Sequence, residues 1–231
     1  MPLAGKAAVV IRYDRAENTL DAFYDWMLGE HMLERMSIPG FRFGRRFKSV
    51  TALRYLNLYE VDDMDVLVGK HYIERLNNPT PLTRRTQPDS KNLSRADCYV
   101  ELSLGLAQGG AMSTIDLTPR PDRETEIRRY LFETALPAAS GARGIVGVHL
   151  CIPDAKASHA NVEERRGRNV QVPDWVVLIE GVSAAAVEAA CDAQLAPATL
   201  VAQGAADTVK RELWIHETTL GALSAPGSQS M

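Results

Sequence analysis

The sequence predicts an α+β fold in which two βαββαβ repeats pack sheet to sheet around a shared barrel. Three observations carry that expectation. First, the apolar pattern alternates between the strand period of two and the helix period of 3.6, in the order strand, helix, strand, strand, helix, strand, and the order then repeats. Second, the two stretches superpose residue by residue. A shift of 104 places Phe23 on Ile127, Trp26 on Tyr130, Met27 on Leu131 and Gly40 on Gly144, and a shift of 120 places Tyr55 on Trp175, Leu58 on Leu178 and Glu60 on Glu180. Third, a single four-stranded sheet with two helices covers only one of its faces, and two such sheets in one chain bury their open faces together.

Each element has a local reason. The β-rich run Lys6 to Asp14 is the first strand. Asn18 or Thr19 starts a helix whose apolar stripe is Leu20, Phe23, Tyr24, Met27, Leu28 and His31, ended by Pro39-Gly40. Phe41 to Val50 and Ala52 to Val61 form a hairpin. Asp62 and Asp63 lead a helix through Val66, Leu67, Tyr72, Ile73 and Leu76. A polar loop, Asn77 to Asn92, then reaches a strand at Asp97 to Leu104. This is the ferredoxin-like order. The second series is strand Ser113 to Thr118, helix Pro121 to Ser140, strands Ile145 to Ile152 and Trp175 to Gly181 around a charged loop at Asp154 to Arg168, helix Ser183 to Leu195 and strand Lys210 to Glu217. The changed shift places a net insertion in that charged loop. The expected units are residues 1–108 and 109–220, joined at Gln108-Gly109-Gly110, with 221–231 a flexible tail.

The bulk numbers narrow the class. The 231 residues are 45% hydrophobic and carry a net charge of −3, which gives no electrostatic case for nucleic acid or an anionic membrane. No apolar run approaches the roughly 18 residues a membrane span needs. Cys98, Cys151 and Cys191 are widely spaced and odd in number, the usage of a reducing cytoplasm rather than of a disulfide framework. No G-x-S-x-G elbow, P-loop, Rossmann fingerprint or H-E-x-x-H motif is present.

Trp26 and His31 on one helix, followed by Ile38-Pro39-Gly40-Phe41, give residues 6–106 a motif-level resemblance to an EthD-like domain of the dimeric α+β barrel superfamily. The second half resembles it by architecture. The resemblance implies a pseudo-dimeric barrel made by one chain. It also implies a ligand cavity between sheet and helix or inside the barrel, and membership of a group that includes cofactor-free isomerases, polyketide cyclases, lyases and monooxygenases alongside haem enzymes.

Strand alternation nominates the residues facing that cavity. With Leu56 and Leu58 assigned to the helices, Tyr55, Asn57 and Tyr59 face the barrel. With Val100, Leu102 and Leu104 assigned to the helices, Tyr99, Glu101 and Ser103 face it. With Leu213 and Ile215 assigned to the helices, Glu212, Trp214 and His216 face it. Asp116 aligns with Arg12 and His149 with Arg45, and Arg12 is the expected partner of Glu101. In the second strand, either Arg45 or Arg46 faces inward to bind a carboxylate. A two-histidine, carboxylate set of Asp116, His149, Glu180 and His216 is set aside because alternation turns Glu180 toward the helices, so no metal is expected. His31 lies near its helix C-terminus, where the macrodipole favours the protonated form, and an imidazole titrating near neutrality suits proton transfer.

These readings combine into a cofactor-independent acid–base enzyme of isomerase, cyclase or lyase type. It would act on a small oxygenated cyclic or aromatic metabolite, with His31 as proton shuttle and Tyr55 and Tyr59 as oxyanion donors. Arg12, Arg45, Arg46, Asn57, Tyr99, Glu101, Asp116, His149, Trp214 and His216 would bind the substrate. The competing readings are a non-catalytic small-ligand binder and a coenzyme-free monooxygenase. The expected partner is a small molecule; a homodimer is compatible with the pattern but not needed to complete the barrel.

Overall fold

A computed structural model describes residues 2–158 and 167–223. Its strands are β1 (Ala7–Asp14), β2 (Phe41–Ser49), β3 (Arg54–Val61), β4 (Lys91–Gly105), β5 (Ala111–Leu117), β6 (Ile145–Pro153), β7 (Trp175–Gly181) and β8 (Lys210–Gly221). They close into a barrel in the order β1-β3-β2-β8-β5-β7-β6-β4, with every pairing antiparallel. The first four strands are contiguous in the order β4-β1-β3-β2, and the last four in the matching order β8-β5-β7-β6. The two sets meet at β2–β8 and β4–β6.

Helix α1 comprises Leu20–Trp26, a π-helical turn at Met27–His31, and Met32–Met36. α2 is Met64–Val68, α3 Lys70–Asn77 and α4 Pro81–Thr86. α5 repeats the form of α1: Glu124–Tyr130, a π-helical turn at Leu131–Ala135, and Leu136–Ser140. α6 (Ala155–Ser158), α7 (Ala184–Gln194) and α8 (Pro197–Ala202) complete the set. The π turns fall at positions 104 apart, and each widens its helix by one residue. In α1 this turns Met27, His31 and Met32 into the core and leaves Leu28 46% exposed, where a regular 3.6 stripe buries it. After each long helix the chain turns through a glycine with positive φ: Gly40 at 92° and Gly144 at 81°. A Cβ at Gly40 would lie 2.5 Å from Val66 Cγ2, and one at Gly144 2.9 Å from Ala186 Cβ.

The barrel interior is packed rather than hollow. One buried cluster draws on all eight strands and no helix: Ala8, Val10, Phe47, Leu56, Leu58, Ala96, Cys98, Met112, Cys151, Val176, Leu178 and Trp214. The expected barrel cavity is therefore filled at this level, while a pocket of about 450 Å³ lined by Arg12, Thr114, Asp116 and Glu212, among others, remains beyond it. The cluster also inverts the expected faces of β3: Leu56 and Leu58 are inside, while Tyr55 and Tyr59 pack with the helix layer. Sequence alternation could not make that distinction, because both faces of β3 are buried and both are lined by large side chains. In β4 a register shift between Val100 and Leu102 divides the strand, so Val100 belongs with the barrel while Leu102 and Leu104 pack under α5 and α7.

Local boundaries differ in instructive ways. Thr19 does not cap α1; its hydroxyl bonds the Ala16 carbonyl in a 3₁₀ turn at Glu17–Thr19. Asp63 does cap α2, through the Val66 amide, and extended backbone at Gly69 splits the expected single helix into α2 and α3. The expected loop before β4 contains α4, anchored by Thr80 at its N-cap, and β4 starts at Lys91 rather than Asp97. β8 runs to Gly221, and the Leu223 amide bonds the Met36 carbonyl, so the start of the expected tail is pinned to the fold. Residues 224–231 and His159 lie outside the described residues. No described helix is long and apolar enough to cross a membrane, and Cys98, Cys151 and Cys191 are free and buried.

Candidate active site

Two layers hold buried polar groups: the barrel interior, and the space between the first sheet and α1. In the barrel, Arg45 forms a bidentate ion pair with Glu180 and reaches Glu60 at 3.5 Å, and His149 Nε2 lies 3.3 Å from Glu180 Oε1. All four are nearly inaccessible. The cluster is closed by backbone amides, Ala4 on Glu60 and Gly109 on Glu180, and by Ser103, whose hydroxyl is 2.7 Å from His149 Nδ1. Burial would raise the Glu180 carboxyl, but the hydrogen bonds and charge of Arg45, with His149, bring it to about 2. Burial keeps Glu60 above the ordinary carboxylate range despite the Ala4 amide and Arg45. Toward the other end, Arg12 and Asp116 form a bidentate pair at 2.6 Å. These groups are matched to one another, which is the arrangement of a structural ion network.

The helix side is different. A cavity of about 50 Å³ is lined by Ile11 and Tyr13 from β1, Asn57 from β3, Leu93 and Arg95 from β4, and Trp26, Met27 and His31 from α1. Gln87 and Ser90 from the turn before β4, together with Arg168 from the β6–β7 connection, form its remaining wall. The π turn of α1 puts Met27 and His31 on the cavity side together. His31 is 4% exposed, packs against Trp26 in a tilted arrangement with ring centroids 4.5 Å apart, and has no hydrogen-bond partner on Nδ1. Burial, then the charges of Arg35 and Arg95, hold its pKa well below the ordinary histidine value. His31 is thus neutral at pH 7, the reverse of the protonated state expected from the helix dipole, because desolvation and two guanidinium groups outweigh a half-charge at the helix end. A neutral imidazole with an open nitrogen accepts protons.

Asn57 organises the opposite wall. Its Oδ1 accepts from the Tyr13 hydroxyl at 3.3 Å and its Nδ2 lies 3.7 Å from Met27 Sδ. Burial raises Tyr13 to about 12, with Arg46 and the Asn57 hydrogen bond opposing, so its phenol is a stable neutral donor. Arg95 is tied to Asp97 at 2.8 Å and to the Tyr72 hydroxyl.

Of the nominated residues, the structure therefore brings His31 and Asn57 to one cavity, on the helix face rather than the barrel face. Tyr55 and Tyr59 share that face of β3 but do not line the cavity. Arg45 and Arg46 are both buried on opposite faces. Arg46 sits 4.4 to 4.6 Å from the rings of Phe23, Tyr24 and Tyr55 and bonds Glu217 at 2.7 Å. Arg12, Asp116, His149 and Trp214 are in the barrel as expected, but Arg12 pairs with Asp116, not with Glu101. Glu101 and Tyr99 lie outside it. Tyr99 is 44% exposed and Glu101 pairs with Arg128 at 2.9 Å, because the barrel face of this stretch of β4 belongs to Cys98 and Val100. Glu180 faces the barrel, opposite to expectation. Ile215 is 42% exposed instead of covered by helices. His216 sits at the barrel rim, edge-on to Phe47 and bonded to Thr219. Among the described residues no group of three or more His, Cys, Asp or Glu side chains is arranged to hold a metal ion.

Sequence reasoning missed Tyr13, Arg95 and Arg168. Tyr13 carried a usable signal, since it follows Ile11 at strand spacing. Arg95 fell between the loop read as ending at Asn92 and the strand read as starting at Asp97, and Arg168 reaches the first half only through the tertiary fold. At the aligned positions of the second half, Leu117, Leu131, Ala135 and Val177 are buried in a continuous apolar core.

An eight-stranded closed barrel of paired four-stranded sheets, with helices outside, decides the architecture. The fold is that of the dimeric α+β barrel. Solved structures agree. An anthrone oxidase-like protein superposes with a TM-score of 0.68 at 12% identity, covering 96% of each chain. A candidate monooxygenase from Fusobacterium nucleatum gives 0.59 at 12% identity, over 95% of this chain and 97% of that one. Another from Lactobacillus acidophilus gives 0.58 at 10%, over 94% and 96%. No family model matches the chain, and no curated protein matches it by sequence.

Proposed function

We propose that the protein is a cofactor-independent enzyme of acid–base type, acting on a small oxygenated cyclic or aromatic metabolite at the cavity beneath α1. The observation that carries this reading is His31: a buried, neutral imidazole with an unpartnered Nδ1 at the wall of a cavity. An unsatisfied buried polar atom costs about 1–3 kcal/mol, and such a cost is retained where it serves a purpose. His31 removes a proton from a carbon or hydroxyl made acidic by a neighbouring oxygen. The Tyr13 hydroxyl turns its single proton from Asn57 Oδ1 to the oxyanion that forms. Proton return from the imidazolium completes an isomerisation, a cyclisation or an elimination with no net redox change. The apolar walls Ile11, Trp26, Met27 and Leu93 suit a ring.

The same deprotonation would start a coenzyme-free oxygenation if dioxygen met the resulting carbanion. The names of the structural neighbours, an anthrone oxidase-like protein and candidate monooxygenases, support keeping that variant. We read the chain as a tandem duplication with units at 1–108 and 109–220. This is supported by the matched strand orders, the π turns and the turn glycines. Under that reading the catalytic cavity belongs to the first unit, the second having exchanged its polar groups for packing.

The test uses carbon acids in deuterated water. Anthrone and 2-tetralone are incubated with the protein while solvent deuterium incorporation and oxygen consumption are recorded. His31→Gln is expected to lower exchange by about 10²–10⁴-fold, the usual worth of a positioned acid or base. Oxygen uptake that parallels exchange selects the oxygenase variant. Equal exchange by wild type, variant and buffer refutes the reading.

A further inference from the structure

The cavity beneath α1 is smaller than the ring it is read to accept. It measures about 50 Å³, whereas an apolar cavity that takes up benzene measures roughly 150 Å³. A ring reaches His31 only when one wall moves. The strand floor is held on both edges of β1 and β3 by antiparallel pairing. α1 is seated on the sheet by Phe23, Met27, Met32 and Met36, all buried. The remaining wall is α4 with the turn at 87–90, from which Gln87 and Ser90 reach the cavity.

This wall is seated by polar contacts. The buried side chains of α4 are Thr83 and Thr86, and Leu82 adds a half-buried apolar contact. Thr83 Oγ1 accepts from Trp26 Nε1 at 2.9 Å and donates to Glu30 Oε1 at 3.2 Å, and Thr80, the N-cap of α4, donates to the same carboxylate oxygen. At the far end Arg15 donates to the Thr86 carbonyl at 3.0 Å and to the Ser90 hydroxyl at 3.2 Å. In the second series the helix at the same place in the order of elements is α8. It too begins with a proline, but it is seated by Leu200, fully buried in the apolar core. The fold therefore does not impose a polar seat here. Hydroxyl and carboxylate groups are rehydrated when such a seat opens, while an exposed leucine loses its burial outright. An element with few buried apolar contacts opens at the low end of the free-energy scale.

Resting on the reading of the cavity as a substrate site, we propose that α4 and the turn at 87–90 form a lid over it, with Glu30 as the latch. Glu30 lies in the π turn of α1, next to His31 in sequence, so latch and base are carried on one rigid turn. Opening releases Thr80 and Thr83 from Glu30 and Thr83 from the Trp26 indole, and swings the lid about the non-helical residues at its two ends, Asn78 and Ser90. Closing restores the Thr83 bond to Trp26, whose ring then lies 4.5 Å from that of His31. Glu30 and Thr83 are thus positioning residues: they act on the imidazole through Trp26. The closed lid also keeps water from the base and from the carbanion it generates.

The experiment is hydrogen–deuterium exchange read by mass spectrometry on the full-length protein, with and without 2-tetralone, for wild type, Thr83→Val and Thr83→Ser. Amides of residues 80–90 are expected to exchange at least about tenfold faster than those of β1 and β3, and to slow about tenfold when 2-tetralone binds. Thr83→Val keeps the shape and removes the hydroxyl, so it should speed exchange at 80–90 about tenfold further and raise both the association and dissociation rates of 2-tetralone. Exchange at α8 and in the strands should stay as in wild type, which also shows that the variant is folded. Thr83→Ser should restore wild-type exchange. Protection at 80–90 equal to that of β3, or exchange there that ignores Thr83→Val, overturns the lid. If 2-tetralone shifts the ¹⁵N resonances of His31 without protecting 80–90, the lid fails and the cavity reading stands. If it neither shifts His31 nor protects 80–90, both fail.

Discussion

Replacing His31 by leucine should make the protein more stable, and increasingly so as the pH falls. Leucine fills a similar volume against Trp26 and brings no polar atom, so the variant sheds the unpartnered Nδ1. Against about 1–3 kcal/mol for that orphan, the lost ring contact and altered shape return about 1 kcal/mol, leaving a net gain near 1 kcal/mol at pH 7.5. The pH dependence follows from linkage. His31 is held well below its unfolded value of 6.5, so below that pH the unfolded chain takes up a proton that the folded protein refuses. Wild-type stability therefore drops as the pH falls through 6.5. For one such group the loss between pH 7.5 and 5.5 is about 1.4 kcal/mol, and the leucine variant escapes it. The remaining histidines are common to both proteins and cancel in the difference. Urea unfolding at pH 7.5, 6.5 and 5.5 reads the gap directly. A gap that stays flat with pH, or a variant less stable than wild type at every pH, would refute the account of His31 as a buried neutral base under strain.

Two further outcomes test the frame around the site. Glu180→Gln should destabilise the protein by about 3 kcal/mol in chemical denaturation at pH 7, because Arg45 loses its bidentate partner inside the barrel. That difference should shrink as the pH falls from about 4.5 toward 2, since Glu180 is depressed to about 2 and its contribution is lost on protonation. Gly40→Ala should lower stability by about 2 kcal/mol, seen as a fall in Tm of about 4–8 °C. Alanine resists a φ of 92°, and its Cβ meets Val66.

The sequence by itself determined the order of the eight strands and of the long helices between them, and the positions of the turn glycines. Each of these is a local property: alternation, the helical stripe, or a φ that only glycine adopts cheaply. It also singled out His31, a chemically capable group on a buried helix face, whose aligned partner is Ala135.

Which way each strand faces was decided only by the tertiary structure. β3 is buried on both sides, so Tyr55, Asn57 and Tyr59 give the same local signal whichever face meets the helices. Closure of the barrel puts Leu56, Leu58, Glu60 and Glu180 inside, where the pairs Arg45–Glu180 and Arg12–Asp116 join residues 135 and 104 positions apart. The ionisation state of His31 is likewise a property of its surroundings. The helix it sits on suggests a cation, but the burial around it and the charges of Arg35 and Arg95 keep it neutral. Arg168 shows the same dependence most plainly. Its place at the cavity wall comes from a connection in the other half of the chain, and periodicity within a segment carries no information about where a distant loop will come to rest.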